Sequence, residues 1–157
     1  MLRVDIPGRG ELRLAHVVLD VNGTIACDGS LLPGVAERLR SLTDVLDVHL
    51  VTADTHGRQD EIDRQLGLRA VRLLGEAGQA EEKANYVRHL GGAGVVAIGN
   101  GANDALMLEC AALGVAVVGP EGAAAVAVQA ADVVVTDIRA ALDLLLRSRR
   151  LVATLRA

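Results

Sequence analysis

Short apolar runs alternate with longer amphipathic segments from residue 12 to the end of the chain. Six runs rich in Val, Leu and Ile predict strands at 12–19, 46–51, 69–73, 94–98, 114–118 and 132–135. The amphipathic segments predict helices at 34–43, 57–66, 79–90, 103–112, 122–129 and 138–146. Such alternation is typical of a parallel sheet with helices on both faces. We therefore expect one doubly wound, Rossmann-like α/β domain over residues 1–157.

The chain begins with a different pattern. Pro7 and Gly8 separate two short apolar stretches, 2–6 and 11–15, and a Pro-Gly pair between such stretches predicts a hairpin. We expect this hairpin to precede the α/β series.

The amino-acid composition limits the kind of core, the partners and the cellular compartment that we expect. Hydrophobic residues make up 51% of the chain, yet Tyr86 is the only aromatic residue, so Leu, Val, Ile and Ala must build the core. A net charge of −4 and the lack of aromatic stacking platforms disfavour nucleic acid as a partner. Cys27 and Cys110 belong to no C-x-x-C pair, which favours a reducing cytosol over a disulfide scaffold.

The sequence shows no pattern typical of a signal peptide or a membrane-spanning helix. The first ten residues lack an apolar signal sequence. The longest run without Asp, Glu, Lys or Arg is 89–103, which contains His89 and several glycines and falls short of the ~18 apolar residues of a spanning helix. We expect a soluble, cytoplasmic protein with no membrane partner.

Polar side chains gather where predicted strands end. Asp20-Val-Asn-Gly-Thr24 follows the first strand, Thr52-Ala-Asp54 the second and Gly99-Asn-Gly-Ala-Asn-Asp104 the fourth, while Lys83 lies on the helix before the fourth strand. The carboxyl ends of parallel strands share one edge of the sheet, where ligands bind in such folds. A carboxylate, a hydroxyl, an ammonium and a second carboxylate at that edge can hold a phosphate and a hard cation.

These four segments, in this order, resemble the four motifs of the haloacid dehalogenase superfamily, most of whose members are magnesium-dependent phosphohydrolases. The resemblance covers residues 16–108. Within the superfamily, the chain most resembles the soluble proteins related to the phosphorylation domain of P-type ATPases. This resemblance rests on the segment IGNGANDALML and on the short segments between the four motifs. The resemblance implies the same α/β fold.

The resemblance also implies roles for the site residues. Asp20 would be the nucleophile that forms an aspartyl-phosphate, Thr52 would hydrogen-bond the phosphoryl oxygens and Lys83 would neutralise charge. Mg2+ would be held by Asp20, the backbone carbonyl of Asn22, Asn100 and Asp104. The implied phosphate contacts are Gly23, Thr24, Thr52, Ala53, Lys83 and Asn103.

Two positions depart from the family pattern. Asn22 stands where family phosphatases carry the Asp that protonates the leaving group and then activates water, and an amide can do neither. General acid–base catalysis contributes typically ~10²–10⁴-fold, so we expect slow turnover and a preference for good leaving groups. Asn100 stands where related motifs use another Asp on Mg2+. Its amide oxygen can bind the cation but adds no charge, so we expect weaker metal binding.

Several residues near the motifs have alternative roles. His56 could relay protons in place of Asn22, although a solvated histidine at a helix start is the favoured interpretation. Asp54 and Thr55 are expected to cap the following helix. Lys83 is the one Lys among 16 basic side chains, which favours a special role for its ammonium.

The two strand histidines and the Arg-rich terminus are not expected to belong to the site. His16 and His49 lie on predicted strands without a partner pattern, which favours structural histidines over metal ligands. The Arg-rich residues 147–156 are expected to form a solvated or interface-forming terminus.

The spacers leave no room for a cap domain, because 32 positions separate Asp20 from Thr52 and 31 separate Thr52 from Lys83. An open site obtains specificity from a neighbouring subunit or from a large substrate, so we expect a homo-oligomer acting on a phosphorylated small molecule or a phosphoprotein. A regulatory domain that binds phosphate or metal without turnover is the main alternative. A response-regulator receiver is more distant, since the GNGAND loop has no place in it.

Overall fold

The computed structural model describes residues 1–53, 57–75 and 77–157. The predicted helix cap at Asp54 and Thr55 and the predicted relay residue His56 lie outside the described residues. Among the helices described, none is long and apolar enough to cross a membrane.

Ten strands and seven α-helices are present in the described ranges. The strands are β1 (Leu2–Ile6), β2 (Gly10–Leu14), β3 (His16–Asp20), β4 (Ala26–Cys27), β5 (Ser30–Leu31), β6 (Asp47–Thr52), β7 (Val71–Arg72), β8 (Val95–Gly99), β9 (Leu113–Val117) and β10 (Val133–Val135). The helices are α1 (Val35–Leu42), α2 (Gln59–Leu66), α3 (Gln79–His89), α4 (Ala105–Cys110), α5 (Ala125–Ala130), α6 (Ile138–Leu146) and α7 (Ser148–Leu155). Two short 3-10 helices cover Gly92–Gly94 and Ala102–Asp104.

Six strands form one parallel sheet in the order β10-β9-β8-β3-β6-β7. Strand β3 is central and pairs with β6 on one side and β8 on the other. Side chains alternate between the two faces of β3: Val17 and Leu19 join one core cluster, and Val18 joins the other. The doubly wound α/β fold predicted from the sequence is confirmed.

Helices cover both faces of this sheet. Buried side chains of α1, α2, α6 and α7 pack in the core cluster that contains Leu19. Side chains of α3, α4 and α5, including Val87 and Met107, pack in the cluster that contains Val18. Aliphatic burial of this kind stabilises the fold by roughly 25 cal/mol for each Å² of apolar surface removed from water. Both faces of the sheet are therefore dry, and its polar residues collect at the strand ends.

The prediction of one strand over 12–19 is wrong. The chain divides at Ala15 into β2, which pairs antiparallel with β1, and β3, which enters the parallel sheet. The backbone amide of Ala15 donates to Gly94 O at 2.8 Å, and its carbonyl accepts from Asp47 N at 2.9 Å, so this residue passes from the hairpin into the sheet. The predicted hairpin of β1 and β2 is confirmed.

Two elements were not predicted. The two-residue strands β4 and β5 form a small antiparallel hairpin after Asp20. The Arg-rich terminus contains α7, whose Leu151 is fully buried in the core. The cluster of Arg side chains at the start of this segment favoured a solvated terminus, whereas Leu151, Val152 and Leu155 follow at helical spacing and pack against the core.

The β1–β2 hairpin lies along the amino-terminal edge of the sheet. The amino group of Met1 donates to Val45 O at 2.6 Å, just before β6. Arg9 forms an ion pair with Asp132 at 2.7 Å, just before β10. At the other end of the chain, the amide of Ala157 donates to Pro7 O at 3.2 Å. The opposite, carboxyl-terminal edge carries the polar motifs.

Candidate active site

The predicted site residues converge at the carboxyl ends of three neighbouring strands. Asp20 ends β3, Thr52 ends β6 and Gly99 ends β8. Because β3 lies between β6 and β8, the segments after these strands meet around Asp20. Lys83 reaches the same place from α3, and its side chain is only 1% exposed.

Lys83 connects two carboxylates. Its Nζ lies 2.7 Å from Asp20 Oδ1 and 2.6 Å from Asp104 Oδ1. Both carboxylates are almost completely buried, with 6% exposure for Asp20 and none for Asp104. A buried charge without a partner is strongly unfavourable, so the ammonium makes it possible for the sheet edge to hold two carboxylates side by side.

Asp104 is held by the loop that precedes it. Its Oδ2 accepts hydrogen bonds from the backbone amides of Asn100 and Gly101, both at 2.9 Å. A Cβ added to Gly99 would lie 2.6 Å from Asp104 Cγ, so only glycine at the end of β8 lets the carboxylate pack this closely. The loop fixes one oxygen of Asp104 and leaves Oδ1 facing Lys83.

Thr24 links the nucleophile position to Asn100. Its buried hydroxyl lies 2.8 Å from Asp20 Oδ2 and 3.1 Å from Asn100 Oδ1, and shares its single proton between them. Asp20 is therefore oriented at both oxygens, by Lys83 on one and Thr24 on the other. Asn100 is itself buried, with 7% exposure.

The other predicted residues surround this centre. Asn22 is exposed, and its Nδ2 donates to Thr52 Oγ1 at 3.4 Å, on the β6 side of Asp20. Asn103 Oδ1 lies 3.5 Å from Lys83 Nζ, and its Nδ2 donates to Gln79 Oε1 at 2.9 Å. Ala53 follows Thr52 and is half-buried.

Gly23 is the remaining predicted phosphate contact. It is buried and adopts a φ of +80°, and a Cβ there would lie 2.9 Å from Asn100 Nδ2. Glycine is therefore required at this position for two reasons, since both the backbone conformation and the close packing exclude a side chain. The chain turns sharply just after Asp20.

Burial sets the protonation of the centre. Burial is the main cause that raises the pKa of Asp20 to about 6, and the neighbouring charge of Asp104 raises it further, while Lys83 and Thr24 oppose the shift. Burial also lowers the pKa of the Lys83 ammonium, but the two carboxylates more than offset this, and the net pKa is raised. Lys83 is therefore positively charged over the whole physiological range.

The raised pKa of Asp20 predicts how the free energy of unfolding depends on pH. The folded-state pKa of about 6 lies above the usual 3.8, so the folded protein holds the Asp20 proton more tightly than the unfolded chain does. The stability that this proton contributes is fully present below pH 3.8 and is lost as the pH rises through 6. In metal-free buffer, Asp20→Asn removes the buried charge, so we expect its free energy of unfolding to exceed the parent's by about 2–3 kcal/mol at pH 8. At pH 5 about half of this difference should remain, because the carboxyl group of the unfolded chain is already ionised there, and it should vanish only below pH 3.8.

Urea unfolding at both pH values, with chelator present, measures this difference. A variant that is less stable than the parent at pH 8 would show that the ion pair with Lys83 outweighs the cost of burying the carboxylate.

The donor set suits one hard cation. Asp20 and Asp104 share Lys83, and Asn100 joins them through Thr24, so carboxylate and amide oxygens converge in one place. Each hydrogen-bonded carboxylate oxygen keeps a second lone pair. Two carboxylates against one ammonium leave one uncompensated negative charge, which favours a cation. The described residues contain no group of three or more His, Cys, Asp or Glu side chains able to hold a metal, consistent with an amide at position 100.

A cavity of about 370 Å³ adjoins the site at Thr24 and Gly119. Most of its surface is apolar, and its walls include Leu32, Val118 and Ile138. Ligand pockets of small molecules begin near 300 Å³. The cavity can therefore accept a small organic group next to Thr24.

One residue at the site, Glu121, was not identified from the sequence. Its Oε2 lies so close to Gly23 that a Cβ added to that glycine would clash with it. Glu121 follows β9 by four residues, at the same edge of the sheet as the predicted motifs. Asp20, Thr52 and Asp104 were identified because they lie at the carboxyl ends of predicted strands. Glu121 has the same signal, since it follows the predicted strand 114–118.

His16 and His49 have partners that the sequence did not reveal. His16 Nδ1 lies 3.1 Å from His49 Nε2, and His49 Nδ1 lies 2.9 Å from the Tyr86 hydroxyl. Burial is the main cause that lowers the pKa of His49, and nearby His16 adds to it. The sequence predicts structural roles for both histidines but not this contact, which arises because β3 and β6 pair in a register that brings the two side chains together.

Comparison with known proteins gives relatives by sequence and by structure. No family model matches the chain. Uncharacterized protein MJ0073 of Methanocaldococcus jannaschii is 53% identical over 62 residues, covering 40% of this chain and 67% of that protein.

Solved structures resemble the whole fold. A HAD superfamily (subfamily III A) hydrolase from Legionella pneumophila aligns with a TM-score of 0.71 and 18% identity, covering 92% of this chain and 88% of that one. The 3-deoxy-D-manno-octulosonate 8-phosphate phosphatase of Moraxella catarrhalis, solved with magnesium, phosphate and sugar acid, aligns at 0.69 with 15% identity over 92% and 95%. A phospho-aspartyl intermediate analogue of phosphoserine phosphatase aligns at 0.66 with 16% identity over 85% and 99%.

The predicted family resemblance is thus matched at the level of the fold. The polar residues at the sheet edge also follow the order of the superfamily motifs. The chain therefore shares the fold of haloacid dehalogenase superfamily phosphatases, and by sequence it belongs to one family with MJ0073.

Proposed function

We propose that the protein is a Mg2+-dependent phosphohydrolase that acts through an aspartyl-phosphate on Asp20. The observation that carries the proposal is the contact of one buried ammonium, Lys83, with two buried carboxylates at 2.6 and 2.7 Å. A carboxylate attacks phosphorus only where anionic repulsion is relieved by fixed cations and donors. Asp20, Asn100 and Asp104, with the backbone carbonyl of Asn22, would hold Mg2+, which supplies charge neutralisation when bound.

The reaction follows in two steps. The Asp20 carboxylate attacks phosphorus, the bond to the leaving-group oxygen breaks, and the leaving group departs as an anion that takes its proton from solvent. Water then attacks the phosphorus of the acyl phosphate, which releases inorganic phosphate and regenerates the carboxylate. Lys83 would stabilise the negative charge that develops on the phosphoryl oxygens, and Thr52 would donate a hydrogen bond to them.

Asn22 makes both steps slow. Its amide can neither protonate the leaving group nor take a proton from the attacking water. Substrates whose leaving groups need no protonation, such as aryl phosphates and acyl phosphates, should therefore react best. The apolar cavity beside Thr24 supports a small organic group on the substrate. The physiological substrate would be a phosphorylated small molecule or a phosphoprotein.

Two of the solved relatives support the proposal. The structure from Moraxella catarrhalis contains magnesium and phosphate, and the phosphoserine phosphatase structure represents a phospho-aspartyl intermediate. Both chemistries match the donor set around Asp20.

Initial-rate hydrolysis of p-nitrophenyl phosphate and acetyl phosphate tests the proposal, with Mg2+ and with chelator. We expect slow, metal-dependent turnover that Asp20→Asn abolishes, because the variant lacks the nucleophile. Measuring parent and variant from identical purifications controls for contaminating phosphatases. Equal rates in the two proteins, both folded by circular dichroism, would refute the proposal and favour a regulatory domain that binds phosphate or metal without turnover.

A further inference from the structure

The loop after β9 is fastened to Asn100. The amide of Ala124 donates to Asn100 O at 2.8 Å, and Asn100 Nδ2 donates to Gly122 O at 3.3 Å. Within the loop, the amide of Gly122 donates to Gly119 O at 2.9 Å. Asn100 thus anchors this loop with both its backbone and its side chain, and the loop cannot shift without moving the site.

This anchored loop carries Glu121 over Gly23. A Cβ added to Gly23 would clash with Glu121 Oε2 and would lie 2.9 Å from Asn100 Nδ2. The Glu121 carboxylate and the Asn100 amide therefore lie close together beside Gly23. In residues 1–53, 57–75 and 77–157, no side chain hydrogen-bonds or ion-pairs with the Glu121 carboxylate. It is an exposed negative charge directed at the site.

The orientation of Asn100 gives this charge a function. Its Nδ2 faces the loop and Glu121, whereas its Oδ1 faces Thr24 and, through Thr24, Asp20. An amide in this orientation presents its oxygen, the atom that binds hard cations, to the interior of the site. A carboxylate on the Nδ2 side favours this orientation and adds the negative charge that an amide lacks.

The position of Glu121 in the site distinguishes a role in proton transfer from a role in metal binding. Asn22 directs its side chain towards Thr52, at the end of β6. Glu121 lies towards Asn100, which follows β8, on the other side of β3. A replacement for the missing acid would be expected next to Asn22, whereas a replacement for the missing metal charge would be expected next to Asn100.

We propose that Glu121 is the outer carboxylate of the cation site: it orients Asn100 and supplies the negative charge that Asn100 does not carry. Glu121 does not form a three-carboxylate group with Asp20 and Asp104 in the described residues, so it acts from outside the set of direct ligands. Mg2+ retains several of its waters in proteins, and these waters can contact an outer carboxylate. The inference rests on the proposed function for the identity of the cation.

Titration calorimetry with MgCl2 and MnCl2, in the absence of substrate, tests the inference. We expect Glu121→Gln to weaken metal binding about tenfold, because loss of an outer-shell partner typically costs ~10–100-fold. Glu37→Gln, which removes an exposed carboxylate from α1, is the matched control and should bind like the parent. Asn100→Asp should bind more tightly than the parent, and Glu121→Gln should cost less in that background.

The possible outcomes are distinct. Parent-like metal affinity in Glu121→Gln would overturn the inference, and loss of one limb of its pH–rate profile at unchanged affinity would assign Glu121 to proton transfer instead. Failure of the parent to bind either metal would also overturn it. Metal binding that depends on Glu121 in a protein without turnover would refute only the proposed function.

Discussion

Lys83→Met is expected to lower the free energy of unfolding by about 3–5 kcal/mol at pH 8, because it leaves two buried carboxylates without their shared cation. Turnover should fall by about 10²–10³-fold, the usual loss when a fixed donor to a developing oxyanion is removed. Urea unfolding and initial rates measure the two effects on the same preparation.

A second substitution separates stability from catalysis. In Lys83→Met combined with Asp104→Asn, one buried charge remains instead of two, so much of the lost stability should return. Turnover should stay low, since both the ammonium and a metal carboxylate are missing. Arg88→Met on the exposed face of α3 is the matched control, and it should cost under about 1 kcal/mol. A stable, active Lys83→Met protein would contradict the arrangement described for the site.

Asn22→Asp is expected to raise turnover on alkyl phosphates by about 10²-fold or more, the lower end of the usual gain from general acid–base catalysis. The gain should be much smaller on p-nitrophenyl phosphate, whose leaving group needs no proton. Asn22 is exposed, so the new carboxylate is solvated and the fold should not be disturbed. Comparing kcat on the two substrate classes measures the effect.

Asn85→Asp adds the same charge on the exposed face of α3 and serves as the control. An equal gain on both substrate classes would point to a change in metal or substrate binding. No gain on alkyl phosphates, in a variant that still binds Mg2+, would contradict the role assigned to the missing acid.

The central part of the site could be predicted from the sequence because topology brings it together. Asp20, Thr52 and Asp104 follow neighbouring strands of a parallel sheet, and residues at such ends meet regardless of the details of packing. Lys83 is a different case, since its position depends on how α3 packs. The resemblance to superfamily motifs indicated its role, and its status as the only Lys supported that role.

Other features could not be predicted, because they depend on tertiary contacts. The bond between His16 and His49 requires the register of β3 against β6, which no local pattern encodes. The break at Ala15 lies inside an apolar run, and an apolar run does not show where one strand ends and the next begins. The place of Glu121 after the fifth predicted strand could be read from the sequence, but its position over Gly23 could not, because it depends on the bonds between this loop and Asn100.

The hairpin at the amino-terminal edge has a practical consequence for work with this protein. Met1 and Ala157 are both held at that edge, by Val45 and Pro7, whereas Asp20 lies at the other end of the five-residue strand β3. The length of such a strand is about 17 Å. Affinity tags, fluorophores or a solid support joined to either end would therefore leave the mouth of the site facing the solution. Large phosphoproteins could be screened on immobilised protein without obstruction by the attachment.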